Sequence, residues 1–226
     1  MKNGNAVVER YRQESDNYVR CLSDPELRRM AESWLCADTV DAWRHRRMYA
    51  CIDPILELFP GSEWVTVGDG RFGRYAHHIL TKGHSVLATD ISDVLLRIGA
   101  EKGYINAFRA ENAERLSFKD RSFDFVFCKE SYHHFPRPML ALYEMLRVSR
   151  KGVVLIEPND APALESLRFI LKRVVKSVLL RCGLSSMLRT RDTSVIRSCG
   201  NTWEEVGNYV YSISEREIEK VALGMG

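Results

Sequence analysis

The residues best suited to ligand chemistry begin with a glycine-rich turn, GDGRFG, at residues 68–73. This turn follows the short apolar run 63–67 and precedes the helical pattern of 73–82. Glycines between a strand and a helix let the backbone approach a ligand closely, and the free N–H groups at the helix start can bind it. The motif alone is a weak signal, because a tight turn without a ligand uses the same glycines.

An acid, Asp90, ends the second apolar run, 20 residues after Gly70. A carboxylate at this place can accept hydrogen bonds from both hydroxyls of a ribose. Asp90 could instead cap the next helix, but Ser92 or Asp93 can serve as that cap and leave Asp90 free. The glycine turn and Asp90 together fit two classes of enzyme, those that use nicotinamide dinucleotides and those that use S-adenosylmethionine.

The hydrophobic pattern predicts the elements that position these residues. We expect helices within 6–59, then a Rossmann-like, mostly parallel α/β sheet with helices on both faces. The strands are predicted at 63–67, 85–89, 105–109, 122–128 and 152–158, and the helices between them at 73–82, 92–102 and 137–149. Ligands of such sheets bind beyond the carboxyl ends of the strands, where the glycine turn and Asp90 lie.

The run ENAERLSFKDRSFDFVFCKESYHHF at 111–135 separates the two enzyme classes. Together with the glycine turn and Asp90, it resembles the class I S-adenosylmethionine-dependent methyltransferases over roughly residues 63–158. The resemblance implies that S-adenosyl-L-methionine is the cofactor, with adenine beside the loop after strand three and methionine beside the loop after strand four. The cofactor-binding residues that it implies are Gly68, Asp69, Gly70, Asp90, Ile91, Asn112, Ala113 and Lys129.

The sequence departs from the pattern of this family in three places. Thr66 stands where an acid usually helps to hold the methionine amine, Phe72 replaces the third glycine, and Asn112 replaces an aspartate. Asp69 is a candidate for the missing acid, and the amide oxygen of Asn112 can still accept a hydrogen bond from adenine. These departures keep open an alternative function, a protein that binds cofactor or a partner without turnover.

The catalytic candidates are His133 and His134, which follow the fourth predicted strand. Methyl transfer is an in-line displacement, and a general base assists it when the acceptor is a hydroxyl. Bracing the loop is the alternative role for the histidines, and Tyr132 and Glu130 are rival bases. We predict methyl transfer to oxygen or nitrogen of a small-molecule or glycan-like acceptor. An NAD(P)-dependent oxidoreductase is a minor alternative, because the residues after 158 are few for a substrate domain.

Composition restricts the setting of the 226-residue chain. Its net charge of +3 is too small to predict nucleic acid as a partner, and no apolar run reaches the roughly 18 residues of a membrane span. Six scattered cysteines without a CxxC pair indicate reduced thiols, no metal site and a cytoplasmic location.

The C-terminal third has a different character. Residues 161–200 hold eight basic and two acidic residues, beginning with an amphipathic helix predicted at 161–182. We therefore divide the chain into an N-terminal helical segment or lid, 1–60, and a cofactor domain, 61–226, with a basic insertion at about 160–200. We expect its helix to cover the acceptor site and to favour an anionic acceptor. A solubilising face on a packed helix and a membrane-surface role are the alternatives.

The end of the sequence predicts an incomplete sheet. The family usually carries seven strands, whereas a last helix at 214–222 leaves no residues for the final pair. We expect five strands, with 152–158 at an open edge that invites pairing with another chain. Either the sequence is truncated, or that edge is covered by a partner, such as a second copy, or by the N-terminal segment.

Overall fold

The computed structural model describes residues 3–158 and 215–225. In this part of the chain the strands are β1 (Glu63–Val67), β2 (Ser85–Asp90), β3 (Phe108–Ala110), β4 (Phe123–Lys129) and β5 (Ser149–Ile156). The α-helices are α1 (Asn3–Ser23), α2 (Pro25–Ser33), α3 (Val40–Tyr49), α4 (Asp53–Leu58), α5 (Arg74–Thr81), α6 (Val94–Glu101), α7 (Pro138–Val148) and α8 (Glu215–Met225). Short 3₁₀ turns lie at Ala50–Ile52 and Tyr132–His134.

The five strands form one parallel sheet in the order β3-β2-β1-β4-β5. The chain winds outward from β1 in one direction and then from β4 in the other. Strand order therefore reverses between β1 and β4, which is where open sheets of this type bind ligands. The predicted Rossmann-like fold is confirmed.

Apolar side chains along β1 point alternately to the two faces of the sheet, which explains why both faces carry helices. Trp64 packs into an apolar cluster with α4, α5 and α6, whereas Val65 and Val67 pack into a second cluster with α7. All three side chains are at most 2% exposed. A strand buried on both faces is typical of parallel sheets.

The third strand was predicted too early in the chain. Its expected range was 105–109, but the residues that pair with β2 are Phe108–Ala110. Ile105 is instead buried against Gly73, the last residue of the glycine turn, and so packs against that turn. The apolar run contains a core contact followed by a short strand, and periodicity does not separate the two.

The predicted N-terminal helices are present and pack onto the glycine turn. Asp24 caps α2, since its carboxylate accepts hydrogen bonds from the N–H groups of Glu26 and Leu27. Cys21 and Trp34 share a buried cluster with Phe72 of the turn. This packing places α1 and α2 above the carboxyl ends of the strands.

Helix α8 matches the predicted last helix, and its Ile218 and Val221 pack against the cluster under α7. The basic insertion, the helix at 161–182 and any strand pair before α8 lie outside the described residues. Within 3–158 and 215–225, the helices are too short or too polar to cross a bilayer.

Candidate functional site

A cavity of about 160 Å³ opens at the carboxyl ends of β1, β2 and β4, the edge at which open α/β sheets bind ligands. Its floor is the glycine turn, and its roof is formed by α1 and the end of α2. Six of the predicted site residues lie on its wall: Gly68, Gly70, Asp90, Ile91, Ala113 and His134. Four other predicted site residues do not line the cavity, and the contacts of each explain why: Asp69, Asn112, Lys129 and His133.

Gly68 joins the glycine turn to the loop after β4. Its φ is +75°, and a Cβ at this position would overlap the side chain of Ser131. The Ser131 hydroxyl donates a hydrogen bond to the Gly68 carbonyl over 2.7 Å. The position therefore requires glycine both for its backbone angle and for the close approach of Ser131.

Gly68→Ala is expected to lower the melting temperature by more than the backbone angle alone explains. Gly83→Ala is a matched control, because Gly83 has a φ of +84° but open space around its absent Cβ. A left-handed alanine costs roughly 1–2 kcal/mol in either place, and only Gly68→Ala adds the overlap. Thermal unfolding of the two variants measures the difference in melting temperature. Equal losses would show that the Ser131 side chain moves aside without a cost in stability.

Asp69 does not face the cavity, so the expectation that it replaces the missing acid is not supported. Its fully buried carboxylate accepts hydrogen bonds from the N–H groups of Tyr75 and Ala76, at 3.1 and 2.9 Å. Thr66, which stands in the place of the family's acid, donates its hydroxyl to Asp69 over 3.0 Å. Burial raises the pKa of Asp69 to about 7. Asp69 thus anchors the start of α5 to the end of β1.

Asp90 faces the cavity from the end of β2. Its side chain is largely buried and accepts a hydrogen bond from the Ser92 N–H at 3.2 Å. The Ser92 hydroxyl in turn accepts from the Val94 N–H at 3.4 Å, and Asp93 is the N-cap residue of α6, so Asp90 does not cap this helix. Burial raises the pKa of Asp90 to about 8, with a contribution from the charge of Glu14.

The loop after β3 presents Ala113 to the cavity but not Asn112. The amide oxygen of Asn112 accepts a hydrogen bond from the Glu114 N–H at 2.9 Å, closing a local turn. Glu111 lines the cavity and was not predicted; its carboxylate accepts from the Ser117 N–H at 3.0 Å. The predicted adenine contact of the Asn112 side chain is therefore not supported.

Lys129 points away from the cavity, toward α3. Its ammonium nitrogen is fully buried, 2.6 Å from Nδ1 of His45 and 2.7 Å from a carboxylate oxygen of Glu130. It also lies over the rings of Tyr49 and Tyr75, at 5.4 and 5.2 Å from their centroids. Burial lowers the pKa of Lys129 and lowers that of His45 to about 4. Lys129 thus ties α3 to the cavity loop.

Two residues beside the cavity have left-handed backbones without being glycine. Phe72, in the place of the third glycine, has a φ of +61°, and Glu130 after β4 has a φ of +47°. Such conformations cost on the order of 1–3 kcal/mol and tend to gather at functional sites. Phe72 keeps the backbone shape of the missing glycine while its ring packs edge-on to Trp34.

Several wall residues were not predicted. Tyr11, Glu14 and Tyr18 come from one face of α1, and Trp34 follows α2. Their spacing of three and four residues marks a common helical face, and a polar Glu14 between two tyrosines on that face was an available signal. The sequence does not show that this face meets the glycine turn 50 residues later.

His133 does not line the cavity but lies beside His134, which does. Its Nδ1 is hydrogen-bonded to Glu157, and its ring centroid is 4.3 Å from that of His134, which lines the wall. The Glu157 side chain is fully buried and also accepts hydrogen bonds from the N–H groups of Ser131 and Tyr132, at 2.7 and 2.8 Å. Burial lowers the pKa of His134 to about 4. Glu157 therefore sets the orientation of His133.

The cavity wall carries more acidic than basic side chains. The acids on it are Glu14, Asp90, Glu111 and Glu130, and the basic residue among the described lining residues is Arg71. Charges in a partly enclosed site act more strongly than in water. Carboxyl groups on the wall can accept hydrogen bonds from hydroxyl groups or stabilise a positive charge.

Part of the chain is similar in sequence to known proteins. Residues 65–156 match a family model described as a methyltransferase domain. A demethylmenaquinone methyltransferase from Renibacterium salmoninarum is 29% identical over 119 residues, which are 53% of this chain and 50% of the relative. The chain thus spans about half the length of this curated relative.

The fold of this chain is similar to those of solved structures. The crystal structure of the [4+2]-cyclase SpnF superposes with a TM-score of 0.51 and 16% identity, covering 80% of this chain and 56% of that one. A putative methyltransferase from Bacillus halodurans is 25% identical, with a TM-score of 0.45, over 57% of this chain and 58% of that one.

The match at 65–156 contains β1, the glycine turn, Asp90 and β4, and ends with β5. These are the elements that build the floor and one wall of the cavity. The strand order and the position of Asp90 agree with the resemblance seen in the sequence. Over residues 65–156 the chain is therefore similar to methyltransferase domains.

Proposed function

We propose that the chain is an S-adenosylmethionine-dependent methyltransferase with the cofactor in this cavity. The observation that carries the proposal is Asp90, a carboxylate facing the cavity next to Gly68 and Gly70 within the family-matched segment. Its carboxylate would accept hydrogen bonds from the ribose hydroxyls. Adenine would lie between Ile91 and Ala113.

The charge of the wall supports this cofactor. S-adenosylmethionine carries a sulfonium and an ammonium group, and a wall rich in carboxylates stabilises both. Arg71, which lines the cavity beside His45, would pair with the carboxylate of the methionine part. NAD has a negatively charged pyrophosphate, which the same acids would repel.

The acceptor would lie on the side of His134, where His133 and Glu157 form a hydrogen-bonded pair. Glu157 favours the tautomer of His133 that carries its proton on Nδ1, which leaves Nε2 able to accept a proton. The acceptor oxygen would attack the methyl carbon as the carbon–sulfur bond breaks. Bound S-adenosylmethionine would leave as a neutral thioether, and His133 Nε2 would take the hydroxyl proton.

We place the acceptor among small molecules with an ionisable hydroxyl or amine. The name of the Renibacterium relative makes demethylmenaquinone one acceptor to test. An anionic acceptor and pairing of copies along β5 stay predictions from the sequence. Residues 1–60 would act as the lid, since α1 and the end of α2 form the cavity roof.

A second candidate is binding without methyl transfer. Thr66 in place of the family's acid favours it, because Thr66 donates to Asp69 and neither side chain lines the cavity. One protein of similar fold is named a cyclase, and a fold does not fix a reaction. Formation of S-adenosylhomocysteine with a panel of acceptors separates enzyme from binder.

Calorimetric titration tests the cofactor. We expect S-adenosylmethionine to bind at one site per chain and NAD to give no heat of binding at the same concentrations. The physical reason is the acid-rich wall, which favours a sulfonium and disfavours a pyrophosphate. Binding of NAD in preference to S-adenosylmethionine would replace the proposal with a nicotinamide enzyme.

A further inference from the structure

Glu14 of α1 is an acid on the cavity wall without a partner. Its side chain is partly buried, and it makes no hydrogen bond or ion pair with other residues in the described part of the chain. Carboxylates removed from water are normally hydrogen-bonded or paired with a positive charge. An acid left in this state beside a cavity points to a ligand that supplies the missing partner.

Glu14 and Asp90 act on the same space. Burial raises the pKa of Glu14 to about 7, and the charge of Glu14 adds to the effects that raise the pKa of Asp90 to about 8. The two acids come from opposite sides, Glu14 from the roof and Asp90 from the end of β2. Two like charges in one poorly solvated space destabilise each other until donors or a positive charge enter between them.

We infer that Glu14 is a second cofactor-binding residue, which together with Asp90 holds the ribose hydroxyls and brings α1 down onto the bound cofactor. The inference rests on the proposed function and names a contact outside the family-matched segment, which begins at residue 65. Because Glu14 and Asp90 line the same cavity, we assign Glu14 to the ribose that is proposed to bind at Asp90.

Cofactor binding and the protonation of Glu14 and Asp90 are linked. Both acids are partly protonated near neutral pH in the empty protein, and hydrogen bonds from a diol or a nearby sulfonium favour their ionised forms. Cofactor binding should therefore release protons and strengthen as pH rises from about 6 to 9. The other titratable or charged groups on the same wall are Tyr11, Tyr18, Arg71, Tyr75, Glu111, Glu130 and His134.

Titration of the Glu14→Gln variant with S-adenosylmethionine tests the inference. We expect affinity to fall by a factor of about 10 or more, the loss of one hydrogen bond to a charged group. The number of protons released, measured in buffers of different ionisation enthalpy, should also fall. Glu9→Gln is the matched control, since Glu9 is exposed on the same helix and should change neither quantity.

The outcomes separate the two proposals. If the unaltered protein does not bind S-adenosylmethionine, the proposed function fails. If it binds and Glu14→Gln keeps both the affinity and the proton release, the role of Glu14 is overturned while the function stands. Thermal unfolding shows whether α1 remains folded, and the Glu14→Asp variant should recover proton release but only part of the affinity.

Discussion

Replacing Asp90 with asparagine is expected to weaken S-adenosylmethionine binding by a factor of about 10 to 100. The variant loses a charge-assisted contact to the ribose, and such contacts contribute about 1.5–3 kcal/mol. The amide can still accept the hydrogen bond from the Ser92 N–H, so the start of α6 should be preserved. Calorimetry with S-adenosylmethionine measures the loss.

The same substitution should stabilise the empty protein at high pH. The pKa of Asp90 is raised to about 8 in the folded state, above its value of about 3.9 in an unfolded chain. The folded protein therefore binds more protons between these values, and its stability falls as pH rises through that range. Asp90→Asn removes this cost, so its melting temperature should exceed that of the unaltered protein at pH 8 and approach it near pH 4.

Asp93→Asn is the control for both effects. Asp93 lies three residues away at the start of α6, pairs with Arg97 across 2.6 Å and is not part of the cavity wall. It should leave cofactor affinity and the pH dependence of stability unchanged. Equal behaviour of the two variants would mean that Asp90 does not contact the cofactor.

Breaking the pair of His133 and Glu157 is expected to lower the rate of methyl transfer by a factor of about 10² to 10⁴, the usual contribution of a positioned base. His133→Gln removes the base. Glu157→Gln keeps an oxygen for the N–H groups of Ser131 and Tyr132 but no longer favours the tautomer with the free Nε2. Cofactor affinity should change little in either variant.

The double variant distinguishes a base pair from a structural brace. Residues that act as one unit show non-additive effects, so His133→Gln with Glu157→Gln should be no slower than the worse single variant. His77→Gln is the control, since His77 bonds to the Tyr104 carbonyl and is not part of the cavity wall. The measurement is S-adenosylhomocysteine formation with an acceptor that the unaltered protein methylates. Additive losses, or losses that appear in affinity alone, would assign the pair to structure.

The sheet and the position of Asp90 could be predicted because each depends on local sequence. The turn glycines and the acid after β2 keep a fixed distance along the chain, so their meeting at one sheet edge follows from the strand pattern. The strand 105–109 was misplaced because Ile105 serves the core under Gly73 rather than the sheet. Apolar character is the same in both roles.

The direction of side chains could not be predicted from spacing. Asp69 and Asn112 stand at positions that suit a cofactor, but backbone N–H groups of α5 and of the local turn take their oxygens. Such bonds depend on the geometry of a loop, which a motif does not specify. Glu14 and Glu157 were missed for another reason, since each reaches the site from an element distant in sequence.

A crystal structure with S-adenosylhomocysteine bound tests the central claim most directly. We predict that the ribose hydroxyls lie within hydrogen-bond distance of Asp90, that adenine lies between Ile91 and Ala113, and that the thioether sulfur faces the side of His134. A ligand bound elsewhere, or a ribose without contact to Asp90, would contradict the assignment of this cavity.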